Sequence, residues 1–166
     1  MTTSVFGTAE SEDVARHIVE DLKARGVVPE HISALFPDKG GSQQFSEEQN
    51  TKMPEGASTG AGVGGVLGGG LGWLVGVGSL AIPGLGPFVA AGPIMAALSG
   101  AAAGAAVGGL TGALIGLGIP EHEVKHYEEQ LGQGSILLSV QANDATEADQ
   151  IRQIFERDGA HDVAVV

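Results

Sequence analysis

The run His122-Glu123-Val124-Lys125-His126 has the spacing H-E-x-x-H. On a helix that spacing sets two imidazoles one turn apart, where they can ligate zinc, with the glutamate between them as the general base of a hydrolysis. Pro120 stands where a helix can start. A third ligand has to come from elsewhere in the chain, and Glu147 and His161 are the candidates. Against this chemistry, Lys125 places a cation beside the metal position. The spacing of Val124, Tyr127 and Leu131 predicts the buried face of the helix, which turns His122 and His126 towards its polar side. We therefore expect solvated histidines, no catalytic residue, no metal and no other cofactor, with a zinc hydrolase built on His122, Glu123 and His126 as one alternative.

Other chemistry is less well supported. Glycine strings such as Gly62-Val63-Gly64-Gly65-Val66-Leu67 imitate a phosphate-binding turn, but no strand leads in and no Lys-Ser/Thr follows. Ser4, Ser33 and Ser139 have no histidine at a suggestive spacing. The chain lacks cysteine, which excludes disulfides, a thiol nucleophile and cysteine-ligated zinc. Its formal charge of −12 excludes nucleic acid as a partner, because counterion displacement needs a basic surface.

The charge is unevenly placed. Gly56 to Pro120 is a stretch of 65 residues without Asp, Glu, Lys or Arg, and it holds 21 of the 28 glycines. The flanks are ordinary by comparison. Residues 1–36 read as strand, helix, strand: a short apolar run at Ser4–Phe6, helical spacing of Val14, Ala15, Ile18, Val19 and Leu22 ended by Gly26, then alternating Ile32, Ala34 and Phe36 stopped by Pro37. Residues 120–166 repeat the plan after an amphipathic helix. Ile136, Leu138, Val140 and Ala142 alternate, Thr146 is a candidate N-cap, Ala148, Ile151, Ile154 and Phe155 form a stripe, and Val163 and Val165 follow Gly159. Two such halves predict an α+β, ferredoxin-like split βαβ sandwich, with Val5, Ile32, Ile136 and Val163 in one core.

Between the halves, residues 37–56 read as a polar linker and 57–119 as an inserted helical glycine-zipper hairpin. Gly60, Gly64, Gly68, Gly72 and Gly76 recur at every fourth position, as do Gly100, Gly104, Gly108, Gly112 and Gly116. That period lines glycines on one helix face, where another backbone can approach closely, and we expect these residues to pack helices and make homo-oligomers. The helices are placed at about 60–81 and 89–119, with the turn at Ile82–Pro87. Ten glycines in the 22 residues from Gly60 to Ala81 oppose an isolated helix by roughly 5–10 kcal/mol, so packing or a lipid surrounding must supply the difference. Twenty-two residues span about 33 Å, which matches a bilayer core.

The stretch from Met53-Pro54-Glu55-Gly56-Ala57, through Ala81–Phe88 and Ala90-Ala91-Gly92-Pro93-Ile94, to Gly118-Ile119-Pro120-Glu121 resembles bacterial glycine-zipper general stress proteins, which carry a heat-induced-stress-type α/β domain around a hydrophobic hairpin. The resemblance implies a stress-linked, membrane-associated protein and transfers no catalytic residues. The expectation is a non-enzymatic membrane protein that associates with itself and with the lipid bilayer. Its termini, which lack a signal peptide, stay in the cytoplasm. The alternative is a soluble cytoplasmic homo-oligomer whose buried hairpins enclose a hydrophobic core or a lipid-like molecule.

Overall fold

The computed structural model describes residues 3–37, 78–82, 86–95, 97 and 109–166. The chain folds into β1 (Thr3–Ala9), α1 (Glu12–Ala24), β2 (Ile32–Pro37), β3 (Gly78–Ile82), β4 (Gly86–Ala91), α2 (Gly109–Gly116), α3 (Glu121–Gly132), β5 (Ile136–Ala142), α4 (Ala145–Arg157) and β6 (His161–Val165), with a 3-10 turn at Pro29–His31. The architecture is mixed α/β. Six strands lie in the order β3-β4-β2-β5-β1-β6, every neighbouring pair antiparallel.

The two flanks share one sheet, as expected. Val5, Ile32 and Ile136 lie in one buried cluster, and the half-buried Val163 packs against it. The same cluster takes the apolar stripes of α1 (Ala15, Ile18, Val19, Leu22) and α4 (Ala148, Ile151, Ile154, Phe155). Local signals fix both helices. Ser11 caps α1 by accepting from the Val14 N–H at 3.3 Å, and Gly26 leaves the helix at φ +91°. The cap of α4 is Asp144 rather than Thr146: its carboxylate accepts the Glu147 N–H at 2.8 Å, and Glu147 accepts the Asn143 N–H at 2.8 Å. This reciprocal arrangement satisfies two orphan donors, which a cap two residues later would leave open.

The alternation read in β2 and β5 implied one buried face, whereas residues 32–36 and 136–140 are buried throughout. The reason is a second layer. Phe6, Leu35 and Leu137 face a separate cluster formed with Leu110, Ala113 and Leu114 of α2 and Val124, Tyr127 and Leu131 of α3.

The expected helices at 60–81 and 89–119 are corrected where the chain is described. Residues 78–82 and 86–91 are strands and extend the sheet beside β2. Pro93 interrupts the start of the second expected helix, while short apolar runs on either side of the expected turn at Ile82–Pro87 suit a hairpin of strands. Pro87 fits because β2 pairs only with Phe88–Ala91, so its missing N–H costs no bond on that side. Helical structure begins again at Pro93 and in α2. Of the linker read at 37–56, Pro37 ends β2 and the rest lies outside the described residues, as do 60–77 of the first expected helix and 96 and 98–108 of the second.

Gly92 joins β4 to the helical turn at φ +75°, and a Cβ there would stand 2.3 Å from the Ile32 carbonyl oxygen. Beside it, the Ile94 N–H donates to Ser33 Oγ at 3.3 Å, so a β2 side chain caps the turn. Gly92→Ala combines left-handed strain with a backbone clash and is expected to cost about 2–3 kcal/mol, read as a lowered denaturation midpoint with unchanged slope.

Candidate functional site

The His122–His126 segment forms the first half of α3, whose inner face buries Val124, Tyr127 and Leu131 as the spacing predicts. The His122 side chain is 79% exposed, and its Nε2 lies 3.8 Å from Glu123 Oε1. His126 points elsewhere: its Nε2 sits 2.8 Å from Asp162 Oδ2 at the start of β6. The Tyr127 hydroxyl donates to the Asp162 carbonyl at 2.7 Å, so one residue of β6 receives two neighbouring side chains of α3. Asp162 adopts φ +52°, a conformation that aspartate tolerates better than most residues, at the point where the β1–β6 register shifts. Asp162 escapes sequence reading because its partner is 36 positions away; the one available signal is a polar residue heading an otherwise apolar strand.

The two candidate third ligands are committed elsewhere. Glu147 closes the cap of α4, on the opposite face of the sheet, and His161 Nε2 lies 3.4 Å from Glu10. One oxygen of Glu123 is buried without a hydrogen-bond partner. Burial raises the Tyr127 pKa well above its usual value, and the nearby carboxylates of Glu123 and Asp162 push the same way. This patch can hold α3 against β6. It does not converge on a metal: among the described residues, the group of ligand atoms that lies within 4.8 Å is His17, Asp21 and Asp158, between α1 and α4. There Arg157 already donates to Asp21 and, at 2.7 Å, to Asp158. The Asp158 hydrogen bond is the largest of the effects that hold the Arg157 pKa above its ordinary value.

Of the glycines expected to pack helices, Gly60, Gly64, Gly68, Gly72, Gly76, Gly100, Gly104 and Gly108 lie outside the described residues. Gly112 and Gly116 lie on α2, exposed, and among the described residues nothing stands within 4 Å of where a Cβ would be. The helix buries Leu110, Ala113 and Leu114 and turns Gly112, Ile115 and Gly116 outward, with Ile115 44% exposed. Thr111, at the margin of that face, donates to the Glu128 carboxylate and ties α2 to α3. Gly112 and Gly116 therefore do not pack α2 against its own sheet.

Tyr127 is the only tyrosine, so its ionisation can be read directly. The unfolded chain loses the phenol proton near pH 10 and the folded chain retains it to higher pH, so stability is intact below pH 10 and falls above it, by up to about 1.4 kcal/mol per pH unit. Tyrosinate absorbance is expected to appear together with unfolding rather than before it, and Tyr127→Phe is expected to remove this contribution to the alkaline slope. No family model, curated protein or solved structure matches this chain.

Proposed function

We propose that the chain is a non-enzymatic assembly protein, an acidic α/β domain that associates with further copies of itself through its glycine-bearing helix faces. The observation that carries this reading is the outward face of α2. Two glycines of the four-residue repeat lie there with no described residue within 4 Å of where a Cβ would stand, beside the exposed Ile115, on a helix whose other face is buried. A glycine face lets a second helix come close, and in water the apolar area so covered stabilises the contact.

Where the expected hairpin is described it belongs to the domain: residues 78–82 and 86–91 run in the sheet, and α2 packs in the second buried cluster. This supports an aqueous assembly over a membrane hairpin. Among the described residues no helix is long and apolar enough to cross a membrane.

We further assign the core to the ferredoxin-like arrangement. The strand order β6-β1-β5-β2 with α1 and α4 on one face supports it. A stress-linked setting rests on the resemblance to glycine-zipper general stress proteins alone.

The test is fractionation of cells making the full chain, followed by native mass measurement without detergent. Extraction by alkaline carbonate and a mass several times that of one chain are expected. Carbonate-resistant retention in membranes overturns the aqueous reading, and a monomeric mass overturns self-association. Gly112→Leu is expected to lower the native mass while the isolated fold gains about 0.5–1 kcal/mol from better helix propensity.

A further inference from the structure

We infer that the Asp158–Gly159 link is a site of self-modification, at which succinimide and then isoaspartate form once Arg157 releases the Asp158 carboxyl.

The sequence supplies the reactants. Asp158-Gly159 is the one Asp-Gly step in the chain, and every other aspartate is followed by a residue with a side chain. At such a step the glycine backbone nitrogen can attack the aspartate Cγ, because no Cβ on the second residue crowds its approach. The reaction balances without a co-reactant. The N–Cγ bond forms, one carboxyl oxygen leaves as water with the amide proton and the carboxyl proton, and a five-membered imide closes. Water then reopens the ring. Opening at the main-chain carbonyl leaves the chain running through Cβ and Cγ, which is isoaspartate, with no net change in mass.

The fold restrains one reactant and not the other. Asp158 Oδ1 accepts from Arg157 Nε at 2.7 Å and Oδ2 from Arg157 Nη2 at 3.1 Å, and the carboxylate side chain is 4% exposed. Both oxygens are engaged, so neither is free to take a proton and leave. Arg157 Nη2 also donates to Asp21, which anchors the clamp on α1. The nucleophile has no such restraint. The Asp158 N–H donates to the Ile154 carbonyl at 2.9 Å and the Ala160 N–H to that of Phe155 at 2.8 Å, but no backbone carbonyl among the described residues accepts from the Gly159 N–H between them. Gly159 is exposed, so water reaches the link. Arg157 is itself half-exposed and holds its two carboxylates against competition from solvent.

The place of the link in the fold gives the modification a consequence. Residues 158–160 join α4 to β6. Isoaspartate adds one carbon to that connection and takes the carboxylate out of the clamp. Asp162, which His126 and Tyr127 hold from α3, follows four residues later. The product therefore loosens both the α1–α4 tie and the start of β6.

The test is incubation of the full chain in neutral buffer, folded and in urea. Succinimide is read as loss of one water from the peptide that contains residue 158, and isoaspartate by enzymatic methylation of its freed carboxylate. Arg157→Gln removes the guanidinium, and Arg157→Lys keeps the charge but cannot cover both oxygens as a fork. Folded Arg157→Gln is expected to accumulate product severalfold faster than the unmodified chain, with Arg157→Lys between them and all three alike and faster in urea. Asp158→Glu is expected to give neither product, and a signal that persists in it overturns the assignment. Equal rates in the three folded proteins overturn the inference. So does an unmodified chain that reacts as fast folded as in urea. A difference between variants that persists in urea overturns it too, because the folded clamp is then not its cause.

Discussion

The central strands are apolar on both faces, and a sheet of that kind folds only if both faces are covered. Val5, Ala34, Leu138 and Val140 face one way; Phe6, Leu35 and Leu137 face the other. Burying one large apolar side chain contributes about 1.5–3 kcal/mol, so a bare second face would forfeit several times that amount. The helices nearest in sequence to the paired strands, α1 and α4, cover the first face. Cover for the second comes from α3 and from α2, which lies inside the uncharged run. That run is therefore part of the domain's core where it is described, and β3 and β4 carry it into the sheet itself.

Apolar burial has no direction, so polar contacts at the rim of this second layer set where its parts sit. Ser33 holds the turn at Ile94, Thr111 ties α2 to α3 through Glu128, and Tyr127 and His126 both reach Asp162. Each neutral bond is worth about 1 kcal/mol net, and the half-exposed His126–Asp162 pair less. Together they fix the layer at three separate points. The motif that resembles a zinc site is used here as a clasp: its second histidine goes to β6, its first to solvent, and the two do not face a common centre.

How far the sequence could reveal this depended on distance along the chain. Strand–helix–strand units declare themselves by period and cap, and β1, α1, β2, β5, α4 and β6 were all legible from such signals. The second layer was not. The alternation of Ile32, Ala34 and Phe36 suggests one buried face, and Leu35 at the intervening position is a small hint that both are covered. The reading put Pro83 and Pro87 in a turn between two helices, but the glycine period said nothing of the strands on either side of that turn, and Pro93 inside the second expected helix was the one local sign against it. At the site, the fate of His122 and His126 followed from the buried stripe of Val124, Tyr127 and Leu131, but the Asp162 contact depends on tertiary placement that no local pattern carries. The outward direction of Gly112 and Gly116 was similarly hidden, since a glycine period marks a face without saying what it meets.

The resulting molecule is polarised. Ion pairs populate the α1 and α4 layer, as in Arg16 with Glu12 and Asp13, Arg152 with Asp149 and Glu156, and Arg157 with Asp21. At the other end of the sheet, β3, β4 and α2 contain no charged residue at all. Charges on the first layer keep copies apart there at any distance shorter than the screening length, about 8–10 Å in physiological salt. Among the described residues, repulsion of this kind is weaker beside β3, β4 and the outer face of α2. A chain whose charges were spread evenly would have to overcome repulsion at every surface in order to associate. At that end of the sheet the uncharged elements are therefore confined to β3, β4 and α2, since α3 beside them carries Glu121, Glu123, Lys125, Glu128 and Glu129.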